Sequence, residues 1–312
     1  MPTLMSSRPD PLPNPTLSAS AGDALCARIN ALADEAWPIR SSDHARAESL
    51  AREALRQAEA ADYPVGIALA LRTLAFQQFY FHSDYEGAEL RLQRALELLD
   101  KAGEARGRAD LLNSLGVVHR RGGRHSEAMR LHLASMEVAR LVNDHPAEAR
   151  AIGAVGNVHH LLGDFGRALE HYQASLRLQE DLGDVHEAAC TLINIGIIHA
   201  MIGEPERAIT YTSQALQTHE RGDQQAAAVC LVNLGNAYID LGNDPRALDF
   251  LERAASRFAE LDNHGDQASC LSDIGRIHER RGKDEEALAF YQRSRGLVES
   301  SGARIHLPEI LM

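Results

Sequence analysis

Residues 195–208 read IGIIHAMIGEPERA: Ile195-Gly196, then His199, Gly203, Pro205 and Ala208. The same marks recur on both sides. An apolar residue, a glycine and, three residues on, His or Tyr occur as Leu115-Gly116/His119, Val155-Gly156/His159, Leu234-Gly235/Tyr238 and Ile274-Gly275/His278. Successive glycines are 40, 40, 39 and 40 residues apart. A second glycine follows at Gly123, Gly163, Gly203, Gly242 and Gly282, and an alanine at Ala128, Ala168, Ala208, Ala247 and Ala287. Further on stands a small residue: Ser135, Ser175, Ala215, Ala254 or Ser294. Self-similarity at a fixed period marks a chain built from stacked supersecondary units.

One unit is legible in physical terms. Apolar residues one and four before the first glycine, the glycine itself and the His or Tyr after it share a helix face, as Leu112, Leu115, Gly116 and His119 do. The glycine and the later alanine remove bulk, so two helices can approach closely. The second glycine ends the first helix in a left-handed conformation. Pro205 and Pro245 then fall in the first turn of the second helix, where a missing N–H costs nothing.

Alternative chemistries find little support. The 312 residues carry a formal charge of -12 with no long basic run, which argues against nucleic-acid binding. Apolar residues make up 45% and charged residues 24%, enough for a core. No apolar run approaches the roughly 20 residues of a membrane span. There is no phosphate loop, no G-x-S-x-G elbow, no H-E-x-x-H and no Cys pair at metal spacing, so neither an enzyme, a cofactor nor a metal is expected. His119, His159, His199 and His278 lie in successive layers and read as packing residues. His159 and His160 point about 100° apart and cannot chelate together. Cys190, Cys230 and Cys270 are 40 residues apart. Stacked layers put such sites on the order of 10 Å apart, beyond the roughly 7 Å a disulfide spans. With Cys26 they read as thiols in a reducing compartment, and the cytoplasm is the expected location.

These marks resemble the tetratricopeptide repeat family over roughly residues 22–302. Three departures stand out. The period is 40 rather than about 34. The aromatic four residues after the alanine is kept at Tyr172 and Tyr291 but becomes His132, Thr212 and Leu251. The terminal proline is missing. Extended repeats of this kind are similar to those of bacterial regulators and of scaffolds that capture partner helices. The resemblance implies an all-α, right-handed superhelical α-α solenoid of about seven helix-turn-helix repeats. The pairs fall near 22–60, 64–101, 104–141, 146–181, 185–220, 223–260 and 264–300. Ala75 replaces the glycine in the second pair, and Ala88 serves as its later alanine. Residues 1–21, rich in Pro and Ser, read as a disordered lead-in, and 303–312 as the start of a truncated or capping helix. That end lacks a polar cap, so a longer parent chain, a covering partner or a homodimer through it is expected.

In the family, the first helix of each unit lines a concave groove. The groove positions include Arg72, Phe76, Asn113, Arg120, Arg121, Arg150 and Asn157, and among them Arg72, Arg120, Arg121 and Arg150 form a basic N-terminal zone. Ile193, Asn194, Ile197, Val229, Val232, Asn233, Asn236 and Ile239 follow as an apolar, amide-dotted cradle, and then Arg276 and Arg280. Two readings stay open for Ile193, Val229 and Val232: packing against the next layer, or a face for an amphipathic partner. Arg can clamp carboxylates, and Asn can pair with a ligand backbone. The expected partner is a protein or peptide, amphipathic with acidic residues, bound in the groove. The alternative is a regulatory input domain of a larger bacterial signalling protein, with a nucleotide cyclase or transcription regulator as output.

Overall fold

The computed structural model describes residues 19–105, 107–220 and 222–301. Most of the expected lead-in, the expected helix at 303–312 and the homodimer contact read from it lie outside the described residues. Fourteen helices follow one another as seven consecutive pairs, and no strand occurs among the described residues. The chain divides into two compact units, the first running up to Leu131 and the second starting at His132.

The first unit holds α1 (Ala19–Ala36), α2 (His44–Ala60), α3 (Pro64–Phe81), α4 (Tyr85–Ala102), α5 (Arg108–Arg121) and the start of α6 (His125–Leu141). Helix α1 begins at Ala19, three residues before the expected start at 22. From α1 through α5 each helix packs on the next, and α3 also touches α1 and α5, so first helices line up beside first helices. The core runs from Ile29 through Leu71, Phe79, Leu92 and Leu99 to Leu111, Val118 and Leu131.

The second unit holds the rest of α6, then α7 (His145–Leu161), α8 (Phe165–Asp181), α9 (Val185–Met201), α10 (Pro205–His219), α11 (Gln224–Asp240), α12 (Asp244–Glu260), α13 (His264–Arg280) and α14 (Asp284–Ser301). The repeat glycines do the work their spacing predicts. A methyl placed on Gly156, Gly196, Gly235 or Gly275 would lie 2.5–2.8 Å from Tyr172, Thr212, Leu251 or Tyr291. Each of those side chains sits four residues after the repeat alanine, on the second helix. A Cβ at the glycine would force that neighbouring side chain to move.

The turns are equally regular. Gly163, Gly203, Gly242 and Gly282 have φ of 70° to 78°. After Gly163 the Asp164 N–H returns to the His159 carbonyl at 2.9 Å, closing a Schellman turn. Asp144, Asp184, Asp223 and Asn263 cap the first helices by accepting the N–H of Ala147, Glu187, Ala226 and Asp266 at 2.9–3.2 Å. An N-cap of this kind contributes about 1 kcal/mol.

The repeat His or Tyr has a partner that spacing alone did not reveal. His159 stacks on His171, His199 on Tyr211, Tyr238 on Phe250 and His278 on Phe290, with centroids 5.2–5.5 Å apart and planes within 13°. Every pair joins the first helix of a unit to its second. The serines tie the same helices from another side: Ser175 Oγ donates to the Ala149 carbonyl at 2.8 Å and Ser294 Oγ to Ala268 at 2.7 Å. His159, His199 and His278 are therefore packing residues in separate layers, and His119 is likewise buried on α5.

Candidate interaction surfaces

The first unit gathers an aromatic and arginine cluster on α3 and the α1–α2 connection. Trp37 lies edge-on to Phe76, and Phe76 stacks on Tyr80 at 4.9 Å. The Arg72 guanidinium lies 3.6 Å over the Trp37 ring, and Arg40 lies 4.1 Å from the same ring. Arg72 Nη1 also donates to Asp110 Oδ2 at 2.9 Å. Only 9% of Arg72 is exposed. It is thus a buried clamp between α3 and α5, its charge already balanced by Asp110, rather than a guanidinium presented to solvent. Phe76, Asn113 and Arg120 are half-buried, and Arg121 is exposed with its guanidinium 5.0 Å over Tyr80. Trp37, Arg40 and Asp110 complete the cluster. The stretch Trp37-Pro38-Ile39-Arg40 lies outside the glycine register, so repeat spacing gave no signal for its role.

In the second unit α9 packs directly on α11. Ile193, 8% exposed, is buried with Ala189, Ala215 and Cys230. Ile197 and Val229 pack on the edge of that cluster. Val232 and Ile239 flank the core formed by Leu231, Leu251, Phe258 and Ile274. Asn194, Ile197, Val232, Asn233, Asn236 and Ile239 all remain half-buried. Asn233 Nδ2 has no hydrogen-bond partner among the described residues. Arg150 and Asn157 are half-buried on α7, where Asn157 Oδ1 accepts the Tyr172 hydroxyl at 2.7 Å. His160 Nε2 lies 3.2 Å from Met201 Sδ.

Arg276 and Arg280 are exposed but engaged. Arg276 Nη2 donates to Asp273 at 2.5 Å, and Arg280 pairs with Asp244. Burial pushes the Asp273 carboxyl above its ordinary value, against the pull of Arg276. The cysteines are free thiols, and burial pushes Cys190, Cys230 and Cys270 up to about 12. Such thiols are protonated at neutral pH and poor nucleophiles. No helix among the described residues is long and apolar enough to cross a membrane.

A family model for the tetratricopeptide repeat matches residues 107–181, 156–221, 187–260 and 226–300. No curated protein sequence matches the chain. Solved structures share the fold at low identity. BtubC (BKLC) from P. vanneervenii aligns with a TM-score of 0.63 at 19% identity, over 73% of this chain and 96% of that one. A signal transduction ATPase with numerous domains, carrying a tetratricopeptide repeat sensor, from Pyrococcus horikoshii aligns at 0.67 and 16% identity, over 91% of this chain but 45% of its own. A Rap protein complexed with competence and sporulation factor aligns at 0.58 and 14% identity, over 88% and 99%.

Proposed function

The chain belongs to the tetratricopeptide repeat family, and on that premise we propose that it is a protein-interaction scaffold whose α9–α11 face seats an amphipathic peptide or helical segment. One observation carries the reading. Two adjacent first helices keep apolar and amide side chains half-buried in the same register: Asn194 and Ile197 on α9, Asn233 and Asn236 on α11. Apolar side chains at this depth supply contact area to a ligand. Each carboxamide offers two donors and an acceptor to a peptide backbone. Ile193 belongs to the core and supports the face from beneath. Acidic residues on the partner would meet Arg276 and Arg280, which are exposed on α13 of the same unit. Free, protonated thiols fit a reducing cytoplasm, and no catalytic role is proposed.

The test uses the full chain as bait. Partners captured by wild type are identified by mass spectrometry, purified and titrated calorimetrically against Ile197→Asp and Asn236→Ala. Affinity should fall at least tenfold for Ile197→Asp, while an outer-helix control, Glu252→Gln, binds as wild type. Equal affinity of wild type, Ile197→Asp and Asn236→Ala would sink the assignment of this face. A second reading, a sensor segment of a larger signalling protein, draws support from the alignment of 91% of this chain onto less than half of the ATPase. Genomic sequence around the coding region decides it.

A further inference from the structure

Outside the α9–α11 face, three side chains that could ligate a metal meet where one repeat joins the next. His186 stands in the first turn of α9, His219 closes α10, and Asp223 caps α11. One ring nitrogen from each histidine and one Asp223 oxygen lie within 4.8 Å of one another. His186 Nε2 is 4.0 Å from Asp223 Oδ2. The other oxygen, Oδ1, accepts the Ala226 N–H at 2.9 Å, so the cap fixes the carboxylate and leaves Oδ2 toward His186.

His219 supplies the second, independent observation. It is 1% exposed, and its Nδ1 is buried with no hydrogen-bond partner among the described residues. Buried polar atoms are paired in the large majority of cases, and an orphan one needs an explanation such as an ion. Its Nε2 lies 4.0 Å from Cys190 Sγ, one helical turn beyond His186 on α9. The packing of three helices collects this set, with no motif in the sequence to announce it.

We propose that His186, His219 and Asp223 bind one divalent transition-metal ion of the zinc type. Two imidazoles and a carboxylate suit zinc, cobalt, nickel or copper, whereas calcium and magnesium need an oxygen shell. Ligand atoms about 2.0–2.1 Å from a tetrahedral zinc lie about 3.3 Å from each other. His186 is exposed and can swing inward to close the remaining gap. The ion would fasten α9, α10 and α11 at one repeat joint and stiffen the support of the proposed binding face.

The experiment takes the full chain stripped with a chelator and adds zinc. Calorimetry should give one ion per chain. With free zinc at 100 times Kd, the folded-to-unfolded ratio should rise about a hundredfold. Cobalt should give visible d–d absorption of tetrahedral intensity. His186→Ala removes an exposed side chain, and Asp223→Asn keeps the N-cap while removing the charge. Each should leave the metal-free helix content intact by circular dichroism and weaken binding at least tenfold. The chain carries 15 histidines, so zinc that still binds both variants with wild-type affinity sits elsewhere and overturns the assignment. So does wild type with no stoichiometric binding.

Discussion

Gly156→Ala should destabilise the second unit even though alanine is the better helix former. The change gains about 1 kcal/mol of helix propensity. Against that, the new Cβ lies 2.8 Å from both Cδ1 and Cε1 of Tyr172, and 3.3 Å from the Ala168 carbonyl. Carbon pairs prefer about 3.5–4.0 Å, so the ring must retreat by about 0.7 Å or more. Tyr172 is completely buried, and its hydroxyl holds Asn157 at 2.7 Å. Overpacking of a filled core costs about 1–3 kcal/mol, and the strained hydrogen bond adds about 1 kcal/mol. The net loss is about 1–3 kcal/mol, read as a fall in melting temperature of roughly 2–10 °C. Gly296→Ala, in the interior of α14 with nothing within 4 Å, gains the propensity without the clash and should stabilise by about 0.5–1 kcal/mol. Thermal and urea melts followed by circular dichroism compare the two. In a Tyr172→Ala background the Gly156→Ala cost should vanish, because the ring it meets is gone. A Gly156→Ala protein as stable as wild type, or one whose loss persists without Tyr172, would refute the close-approach argument.

Two further outcomes follow from the packing. Arg72→Lys should lower first-unit stability by about 1–2 kcal/mol, since an ammonium cannot both lie flat on Trp37 and reach Asp110. Trp37 is the single tryptophan, so its emission reports this unit directly, and an unchanged urea midpoint would contradict the clamp. Burial lowers the affinity of His119, His171 and His219 for a proton below their ordinary value of 6.5. Below that value the unfolded chain takes up protons that the folded chain refuses, so stability is full above about 6.5 and falls as pH drops through their folded values. Urea midpoints at neutral and mildly acid pH measure this, and His119→Gln with His171→Gln should flatten the curve.

Most of the fold was legible because its causes are local. A glycine at fixed phase specifies a left-handed cap or a close helix approach wherever it falls, and Asp or Asn at a turn caps the helix that follows. Gly163, Gly203 and Pro205 could thus be read without knowing what lies beside them. The stacks of His159 on His171 and Tyr238 on Phe250 were encoded at equal phase too, but they emerge only when both helices of a unit are aligned.

The surfaces were less legible. Helical phase says which way a side chain leaves its own helix, not what another helix brings to meet it. Arg72 and Arg121 share one predicted basic zone, yet Arg72 is sealed between Trp37 and Asp110 while Arg121 stays exposed. Ile193 and Ile197 share one predicted cradle, yet the first is core. The sequence by itself determined the repeat, its period and its turns, because these depend on residues a few positions apart. Only the tertiary structure decided which charges were already balanced, and that His186, His219 and Asp223 meet. Those outcomes depend on three helices arriving together at a distance that no local spacing encodes.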